Sequence, residues 1–267
     1  MIVSGRLKQT QTAKYATTTM PGPALRRVRM RADTSELDIY GGCDPREIPA
    51  YRFVDAATYL NLPVPTLRPW IKGYYYNTKN GRKLFRPVFS LPDPEIPLLS
   101  YTNLVEAFVL SSLRRKHKID LPKIRVAIRS LQKRFHSRHP LAEHRFETDG
   151  VNLFVDHYGD LINIGHDGQM AMRQILQNYL TRVEHDPTGR AARLYPFVRL
   201  GNAEQPRNVV INPYISFGKP VISGTGLPTR VVAERYKAGD TISYIARDYG
   251  RKEEEIEDAI RYELRVA

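Results

Sequence analysis

The stretch IPAYRFVDAATYLNLPVPTLRPWIK, residues 48–72, decides the fold of the N-terminal half of this chain. It predicts a helix-turn-helix, because apolar residues recur at helical spacing at Phe53, Ala56, Ala57 and Leu60. Asn61-Leu62-Pro63 ends the first helix, since proline disfavours helical angles in the residue before it. Val64-Pro65 starts the second, where proline suits the first turn. Two short helices joined by a tight turn are the unit that places its second helix in the major groove of DNA.

Pro69 lies inside the second predicted helix. It has no backbone N–H to donate to the carbonyl of residue 65, and its ring crowds that carbonyl, at a cost of about 3 kcal/mol in a regular helix. We therefore expect this helix to be short, kinked or to begin later than the pattern indicates. Trp70 should pack against the core, with Arg68 turned towards the DNA backbone.

A basic hairpin is predicted in the next segment, YYYNTKNGRKLFR, residues 74–86. Asn-Gly between residues of strand type is the strongest short-range signal for a hairpin. A basic hairpin directly after a helix-turn-helix indicates a wing beside the phosphate backbone. The residues predicted to bind DNA on the second helix and the wing are Thr66, Arg68, Lys72, Lys79, Asn80, Arg82, Lys83 and Arg86.

The charge of the chain is divided unequally between its two halves. The 267 residues carry a net charge of +13. Residues 1–140 contain 25 Lys/Arg and 10 Asp/Glu, which gives +15, whereas residues 141–267 contain 16 and 18, which gives −2. The first half is therefore expected to meet a nucleic acid. A solvated basic face without a ligand is the alternative.

Apolar runs, the N-terminus and the cysteine content indicate the cellular compartment. Hydrophobic residues make up 42% of the chain, yet no run approaches the ~20 apolar residues that span a bilayer. The N-terminus lacks the pattern of a secretory signal. The single cysteine, Cys43, cannot form an internal disulfide, which suits a reducing compartment. We expect a cytoplasmic protein that binds no membrane.

The remainder predicts a mainly α-helical fold with small β elements. Residues 1–37 are expected to form a flexible basic tail. Residues 38–140 would form the winged helix-turn-helix domain with two support helices. The stripes that these helices should bury are Leu104, Phe108 and Leu113 in the first and Ile124, Ile128, Leu131 and Phe135 in the second.

Two further regions are predicted after residue 140. Residues 141–205 would form a small α+β section that is strand-like over 146–165, helical over 169–183 and extended over 193–198. Residues 206–267 would form a trihelical, helix-turn-helix-like domain in which a short strand and a glycine loop precede three helices, at about 229–237, 241–249 and 252–264. The last helix carries Glu253, Glu254, Glu255, Glu257 and Asp258, which phosphates would repel. This predicts a protein-binding or dimerising module, with a second DNA reader as the alternative.

No catalytic constellation stands out in the sequence. Asp149, Asp156, Asp160 and Asp167 suggest a Mg²⁺-dependent nuclease, but three of them adjoin glycine, so turn chemistry is the stronger interpretation. His136 and His139 are too few for a structural zinc site and are predicted to be a surface pair. The glycine loop at 218–226 matches neither a phosphate-binding loop nor a dinucleotide fingerprint. We expect no enzyme activity, no cofactor and no metal.

Two segments resemble known families. The stretch from Tyr51-Arg52-Phe53 through Leu67-Arg68-Pro69-Trp70 resembles the winged helix-turn-helix of MerR-type regulators. The segment GKPVISGTGLP, residues 218–228, with AGD at 238–240, IARDYG at 245–250 and EIEDAI at 255–260, is similar to the domain of unknown function family 433. One departure is Gly226, where many members of that family carry arginine. Together the segments resemble a VapB-type antitoxin over residues 38–267.

The resemblance implies a type II antitoxin that represses its own operator as a homodimer and neutralises a PIN-type ribonuclease toxin. The residues predicted to bind this partner are Gly218, Lys219, Pro220, Gly224, Thr225, Glu254 and Glu257. The glutamates are included because a toxin that binds RNA would present a basic cleft. A stand-alone MerR-like regulator is one alternative, and a nucleic-acid-processing enzyme with dispersed carboxylates is another.

Overall fold

The computed structural model describes residues 40–79, 81–114, 120–198 and 206–264, and of Thr78 and Arg114 only the backbone. The predicted tail, residues 1–37, and Asn80 lie outside the described residues. Within these, the fold is mainly helical with two small antiparallel sheets, as the sequence predicts.

The helix-turn-helix consists of α1, Phe53–Leu60, and α2, Val64–Lys72. Asn61 ends α1 in the left-handed conformation, with its N–H directed back to the carbonyls of the last turn. Asparagine tolerates this conformation better than most residues. Strands β1, Tyr74–Thr78, and β2, Gly81–Phe85, then pair as an antiparallel hairpin, which confirms the predicted wing.

Helix α2 continues through Pro69. It begins at Val64 and ends at Lys72, so the expected late start is wrong, whereas at nine residues the helix is short, as expected. Leu67, Trp70 and Ile71 are all buried, and Trp70 is only 1% exposed. Burying these three side chains stabilises the helix by several kcal/mol, which exceeds the ~3 kcal/mol that a proline costs in a helix interior.

Helix α3, Tyr101–Arg114, is the central element of the fold. Every side chain from residue 101 to residue 113 is buried, polar ones included. Helix α6, His166–Leu180, and a short 3₁₀ turn, Pro140–Ala142, pack against it, and α4, Leu121–Phe135, packs against that turn. The apolar stripe predicted for α3 is therefore one side of a helix that is enclosed all round.

The segment 146–162 is helical, so the strands predicted within 146–165 are wrong. A π-helical turn, Phe146–Gly150, runs into α5, Val151–Ile162. The buried residues recur at helical spacing: Val151, Phe154, Val155 and Tyr158. Their aromatic and β-branched side chains favour strands when taken alone, but packing of α5 against α4 and α6 overrides that preference.

A four-stranded antiparallel sheet joins the two regions predicted after residue 140. Its order is β3, Val183–His185, then β4, Ala191–Leu194, β5, Val209–Ile211, and β6, Pro220–Ile222. The boundary predicted between residues 205 and 206 falls between β4 and β5. The two regions therefore share a sheet, and Tyr40–Ala267 cluster as one compact unit.

Three helices complete the C-terminal domain: α7, Thr229–Lys237; α8, Ile242–Tyr249; and α9, Glu253–Leu264. They match the three helices predicted from the sequence. Helix α9 packs on α7, α8 and the strands β5 and β6. In the described parts of the chain, no helix is long and apolar enough to cross a membrane.

Candidate nucleic-acid interface

Helix α2 presents a basic face to solvent. Its buried side faces the core, which leaves Arg68 and Lys72 exposed one turn apart on the other side. Lys72 also lies 5.3 Å from the centroid of the Phe53 ring, a cation–π distance. Thr66 lies in the first turn and is partly exposed. The three α2 residues predicted from the sequence therefore all reach the surface.

Gly73 fixes the direction in which the wing leaves α2. Its φ is +67°, and a Cβ atom there would lie 2.2 Å from the backbone oxygen of Phe85. Only glycine allows so close an approach of two backbone segments. After the wing, the Val88 N–H donates a 2.7 Å hydrogen bond to the Trp70 carbonyl. Both ends of the wing are thus anchored to the end of α2.

The two faces of the wing differ in what they contact. On one face Phe85 is buried, beneath a guanidinium group of α4. On the other face Tyr75 is 59% exposed, and the Arg82 guanidinium lies over its ring at 4.5 Å from the centroid. Lys79, Lys83 and Arg86 are exposed as well. The outward side of the wing thus combines cations with aromatic surface.

Arginines of α4 extend the basic side of the wing, which the sequence analysis did not predict. Arg125 donates a 3.0 Å hydrogen bond to the Arg86 carbonyl and lies over the Phe85 ring. Burial, and then the charges of Arg129 and Arg86, lower the pKa of Arg125. The three cations therefore repel one another. The sequence feature that could have indicated this extension is the spacing of Arg125 and Arg129, four residues apart on the polar side of α4.

The cations of this region have no carboxylate partner among the residues that the structure describes. Residues 56–92 contain six Lys/Arg and no Asp or Glu. We call the following side chains the basic surface: Arg68, Lys72, Lys79, Arg82, Lys83, Arg86, Arg125 and Arg129. Among the described residues, no carboxylate forms an ion pair with any of them. Uncompensated positive charge of this kind attracts a polyanion.

Most of the described arginines of the C-terminal domain do form ion pairs with carboxylates. Arg235 contacts Asp240 and Asp248, and intrahelical or adjacent glutamates pair with Arg230, Arg251 and Arg261. Internal pairs of this kind leave little net field for phosphates. The charge difference seen between the halves of the sequence is therefore also a difference in pairing.

The residues predicted to bind a protein partner divide into buried and exposed groups. Gly218 and Pro220 are buried, so the prediction that they lie on a contact surface is wrong. A Cβ atom on Gly218, whose φ is +71°, would lie 2.0 Å from the Tyr51 hydroxyl oxygen. The Thr225 hydroxyl is used within the loop, where it donates to the Ile222 carbonyl. These residues shape the loop.

The remaining predicted residues are accessible. Lys219, Gly224 and Glu254 are exposed, and Glu257 is half-buried in an ion pair with Arg261. Next to Lys219, Phe217 is 73% exposed in the left-handed conformation, with a φ of +54°. Phe217 was not predicted from the sequence, although an aromatic residue directly before the glycine loop could have indicated it.

The other candidates from the sequence also have definite positions. Asp149, Asp156, Asp160 and Asp167 are exposed and lie in helices, so turn chemistry does not explain them. Asp156 forms an ion pair with Arg173. His139 is not on the surface: its Nδ1 lies 2.9 Å from a carboxylate oxygen of the buried Glu106. His136 is exposed, so the predicted surface pair is wrong for one member.

Comparison with known proteins identifies two domains. Residues 49–128 match the family described as "Putative DNA-binding HTH domain". Residues 209–262 match the family described as "Protein of unknown function (DUF433)". The first match spans α1, α2, the wing, α3 and part of α4, which includes the basic surface apart from Arg129. The second spans β5 to α9.

Two relatives from Mycobacterium tuberculosis are similar over most of the chain. The protein named "Putative antitoxin VapB45" is 28% identical over 230 residues, covering 80% of this chain and 93% of its own length. "Uncharacterized protein Rv2308" is 29% identical over 246 residues, covering 87% of this chain and 95% of its own. With the two domain matches, these confirm the predicted resemblance to VapB-like antitoxins that carry a helix-turn-helix.

A solved structure shares the fold. The X-ray crystal structure of Rv2018 from Mycobacterium tuberculosis matches with a TM-score of 0.57 at 23% sequence identity. The match covers 80% of this chain and 98% of that one. The arrangement of helices and sheets described above therefore occurs in an experimentally determined protein.

Proposed function

We propose that this protein is the antitoxin of a type II toxin–antitoxin module and represses its own operator by binding duplex DNA through α2 and the wing. The basic surface is the observation that carries the proposal. Eight cations lie on three adjoining elements, and none is neutralised by a described carboxylate. Arg68 on α2 would contact base edges or adjoining phosphates, whereas the wing would contact backbone.

Fluorescence anisotropy with the full chain tests the DNA part. The probe is a labelled duplex from upstream of the gene, and an unrelated duplex of equal length is the comparison. Arg68→Ala should reduce the preference for the upstream sequence. Lys237→Ala, which removes an exposed lysine from α7, is the matched control and should leave it unchanged. Equal affinity of Arg68→Ala and the unsubstituted protein for both duplexes would refute the assignment.

The partner of the antitoxin would be a PIN-type ribonuclease toxin, bound by the C-terminal domain. Support comes from the VapB-like relative and from the exposed loop and acidic helix of this domain. Lys219, Gly224, Thr225, Glu254 and Glu257 remain in the proposed surface, and we add Phe217. A large aromatic side chain that is exposed in the free protein is a suitable anchor for a pocket on a partner.

Co-purification with the product of the neighbouring gene tests the partner. Phe217→Ala should weaken the complex at least about tenfold. Truncating an interface anchor costs about 2 kcal/mol or more, and about 1.4 kcal/mol corresponds to a tenfold change in affinity. Tyr236→Ala removes another exposed aromatic residue, from α7, and should leave the affinity unchanged. Retention of full affinity by Phe217→Ala would remove this loop from the interface.

The homodimer, the cytoplasmic location and the MerR-like mode of DNA binding belong to the same proposal. Light scattering on the free protein measures its molar mass and so tests the homodimer. The enzyme alternative has less support, because the four aspartates suggested for a nuclease are exposed on helices and do not form a metal-binding group among the described residues. The similarity to an antitoxin also favours a protein without catalysis.

A further inference from the structure

His144, Glu147 and His185 lie together although they are distant in sequence. Their ligand atoms are all within 4.8 Å of one another. The His144 Nδ1 atom is 3.3 Å from a carboxylate oxygen of Glu147, one helical turn further along the chain. The two imidazole rings are 5.2 Å apart between centroids. Two imidazoles and a carboxylate are a recurring ligand set for transition metals.

The backbone brings the two histidines into position. Glu143 and Arg190 form an isolated antiparallel bridge, and the His144 N–H donates a 2.9 Å hydrogen bond to the Gly189 carbonyl. This pairing lays the segment before the π-helical turn along the β3–β4 hairpin. His185, at the end of β3, then faces His144.

The imidazole of His185 is arranged as a metal ligand requires. Its Nε2 atom is buried and has no hydrogen-bond partner among the described residues. A neutral imidazole nitrogen without a hydrogen-bond partner can direct its lone pair at a metal. A buried nitrogen without a partner otherwise lacks an explanation.

Neighbouring cations do not prevent a metal ion from binding. Arg190 is paired with Asp44 and Glu47. The Arg145 guanidinium lies over the Phe135 ring at 5.1 Å. The positive charges closest in sequence are thus neutralised or directed elsewhere.

We propose that His144, Glu147 and His185 bind a divalent transition-metal ion, with Zn²⁺ as the natural probe. Ligand atoms on a tetrahedral Zn²⁺ lie about 3.3 Å apart, because each bond is about 2.0 Å long. The His144–Glu147 pair already has this spacing, and the third ligand atom, on His185, lies within 4.8 Å of both. Three protein ligands leave one position for water. The ion links the β3–β4 hairpin to the start of the π-helical turn and α5.

Zinc affinity is measured on untagged, full-length protein by competition with a chromophoric chelator. A Cys43→Ser background removes the exposed thiol of the single cysteine, which would also bind zinc. This parent protein should bind one Zn²⁺ per chain. His144→Ala, Glu147→Gln and His185→Ala should each reduce the affinity at least about tenfold, since each removes a direct bond to the metal.

His166→Ala is the matched control, because His166 is exposed at the start of α6 and outside the cluster. It should bind Zn²⁺ as the parent does. Thermal unfolding gives an independent readout: Zn²⁺ should raise the Tm of the parent and of His166→Ala but not of His144→Ala or Glu147→Gln. Both of the latter replace exposed or half-exposed side chains, so they keep the test informative if His185→Ala folds poorly. Parent-like affinity in these two variants would overturn the proposal, and so would an equal loss in His166→Ala.

Discussion

The Tyr262 hydroxyl of α9 donates a 2.7 Å hydrogen bond to the Tyr59 carbonyl in α1. This bond joins residues that are 203 positions apart in sequence. Tyr262 is 2% exposed, and its ring packs edge-on against Phe197. The last helix of the C-terminal domain therefore braces the first helix of the helix-turn-helix.

Tyr262→Phe should lower the free energy of unfolding by about 1 kcal/mol, the usual net value of one hydrogen bond. The ring packing is kept, and the Tyr59 carbonyl loses this donor. Tyr236→Phe removes an exposed hydroxyl on α7 and should change stability by much less. Urea denaturation followed by circular dichroism measures both. Equal effects of the two substitutions would contradict a bracing role for the bond.

Gly218→Ala should destabilise the contact between the C-terminal domain and Tyr51, which lies just before α1. The new Cβ would meet the Tyr51 hydroxyl at 2.0 Å, and alanine also disfavours a φ of +71°. Gly224→Ala is a close control, because its φ is +73° but nothing lies within 4 Å of the new Cβ. We expect a loss of about 1 kcal/mol for Gly224→Ala and clearly more for Gly218→Ala.

Tyr51→Phe tests the cause of that difference. Removing the hydroxyl should restore part of the stability lost in Gly218→Ala and none of that lost in Gly224→Ala. A double-mutant cycle of unfolding free energies gives the coupling between positions 51 and 218. A coupling energy of zero would show that the steric explanation is incorrect.

The wing should contact DNA mainly through phosphates. Arg82→Ala combined with Lys83→Ala should weaken binding to all duplexes similarly and reduce the magnitude of the slope of log K against log salt by about 1.8, since each phosphate contact contributes about 0.9. Lys237→Ala with Lys252→Ala changes the charge equally at exposed positions of the C-terminal domain. That control should leave the slope unchanged. Loss of sequence preference alone in the wing variant would contradict backbone contact.

The buried pair Glu106–His139 should make stability depend on pH. Burial acts to lower the pKa of His139, but the hydrogen bond to Glu106 and the charge of that residue outweigh it and raise the pKa. The pKa of Glu106 is also raised, and in this case burial is the cause. The Glu106–His139 pair therefore binds protons more tightly in the folded state than in the unfolded chain. The stabilisation is fully present below the ordinary histidine pKa of 6.5 and is lost as pH rises through the raised folded value.

Unfolding free energies measured from about pH 6 to about pH 9, a range that brackets the usual histidine pKa, test this dependence. The unsubstituted protein should lose stability across the range, and Glu106→Gln should lose less, because His139 then lacks its charged partner. His139→Ala should cost about 3 kcal/mol near neutral pH, since it leaves a buried carboxyl without its partner. His136→Ala, at the exposed histidine nearby, should match the unsubstituted protein. If the unfolding free energy of Glu106→Gln fell with pH as steeply as that of the unsubstituted protein, the Glu106–His139 pair would not be the cause of the pH dependence.

The sequence by itself determined the elements whose signals are local. The run Asn61-Leu62-Pro63 gives the turn between α1 and α2, and Asn80-Gly81 gives the hairpin. Gly239 and Gly250 mark the ends of the first two C-terminal helices in the sequence, and α7 and α8 end next to them. The charge division between the two halves is likewise a property of composition, so the basic surface could be predicted in outline.

Only the tertiary structure decided the features that depend on distant partners. Residues 146–165 contain side chains that favour strands, and packing against α4 and α6 makes them helical. Glu106 and His139 are 33 residues apart and meet in the core. His144 and His185 come together because a bridge between Glu143 and Arg190 aligns their segments. The burial and the charge of a side chain depend on residues that are distant in sequence. The spacing of nearby residues does not indicate which distant residues these are.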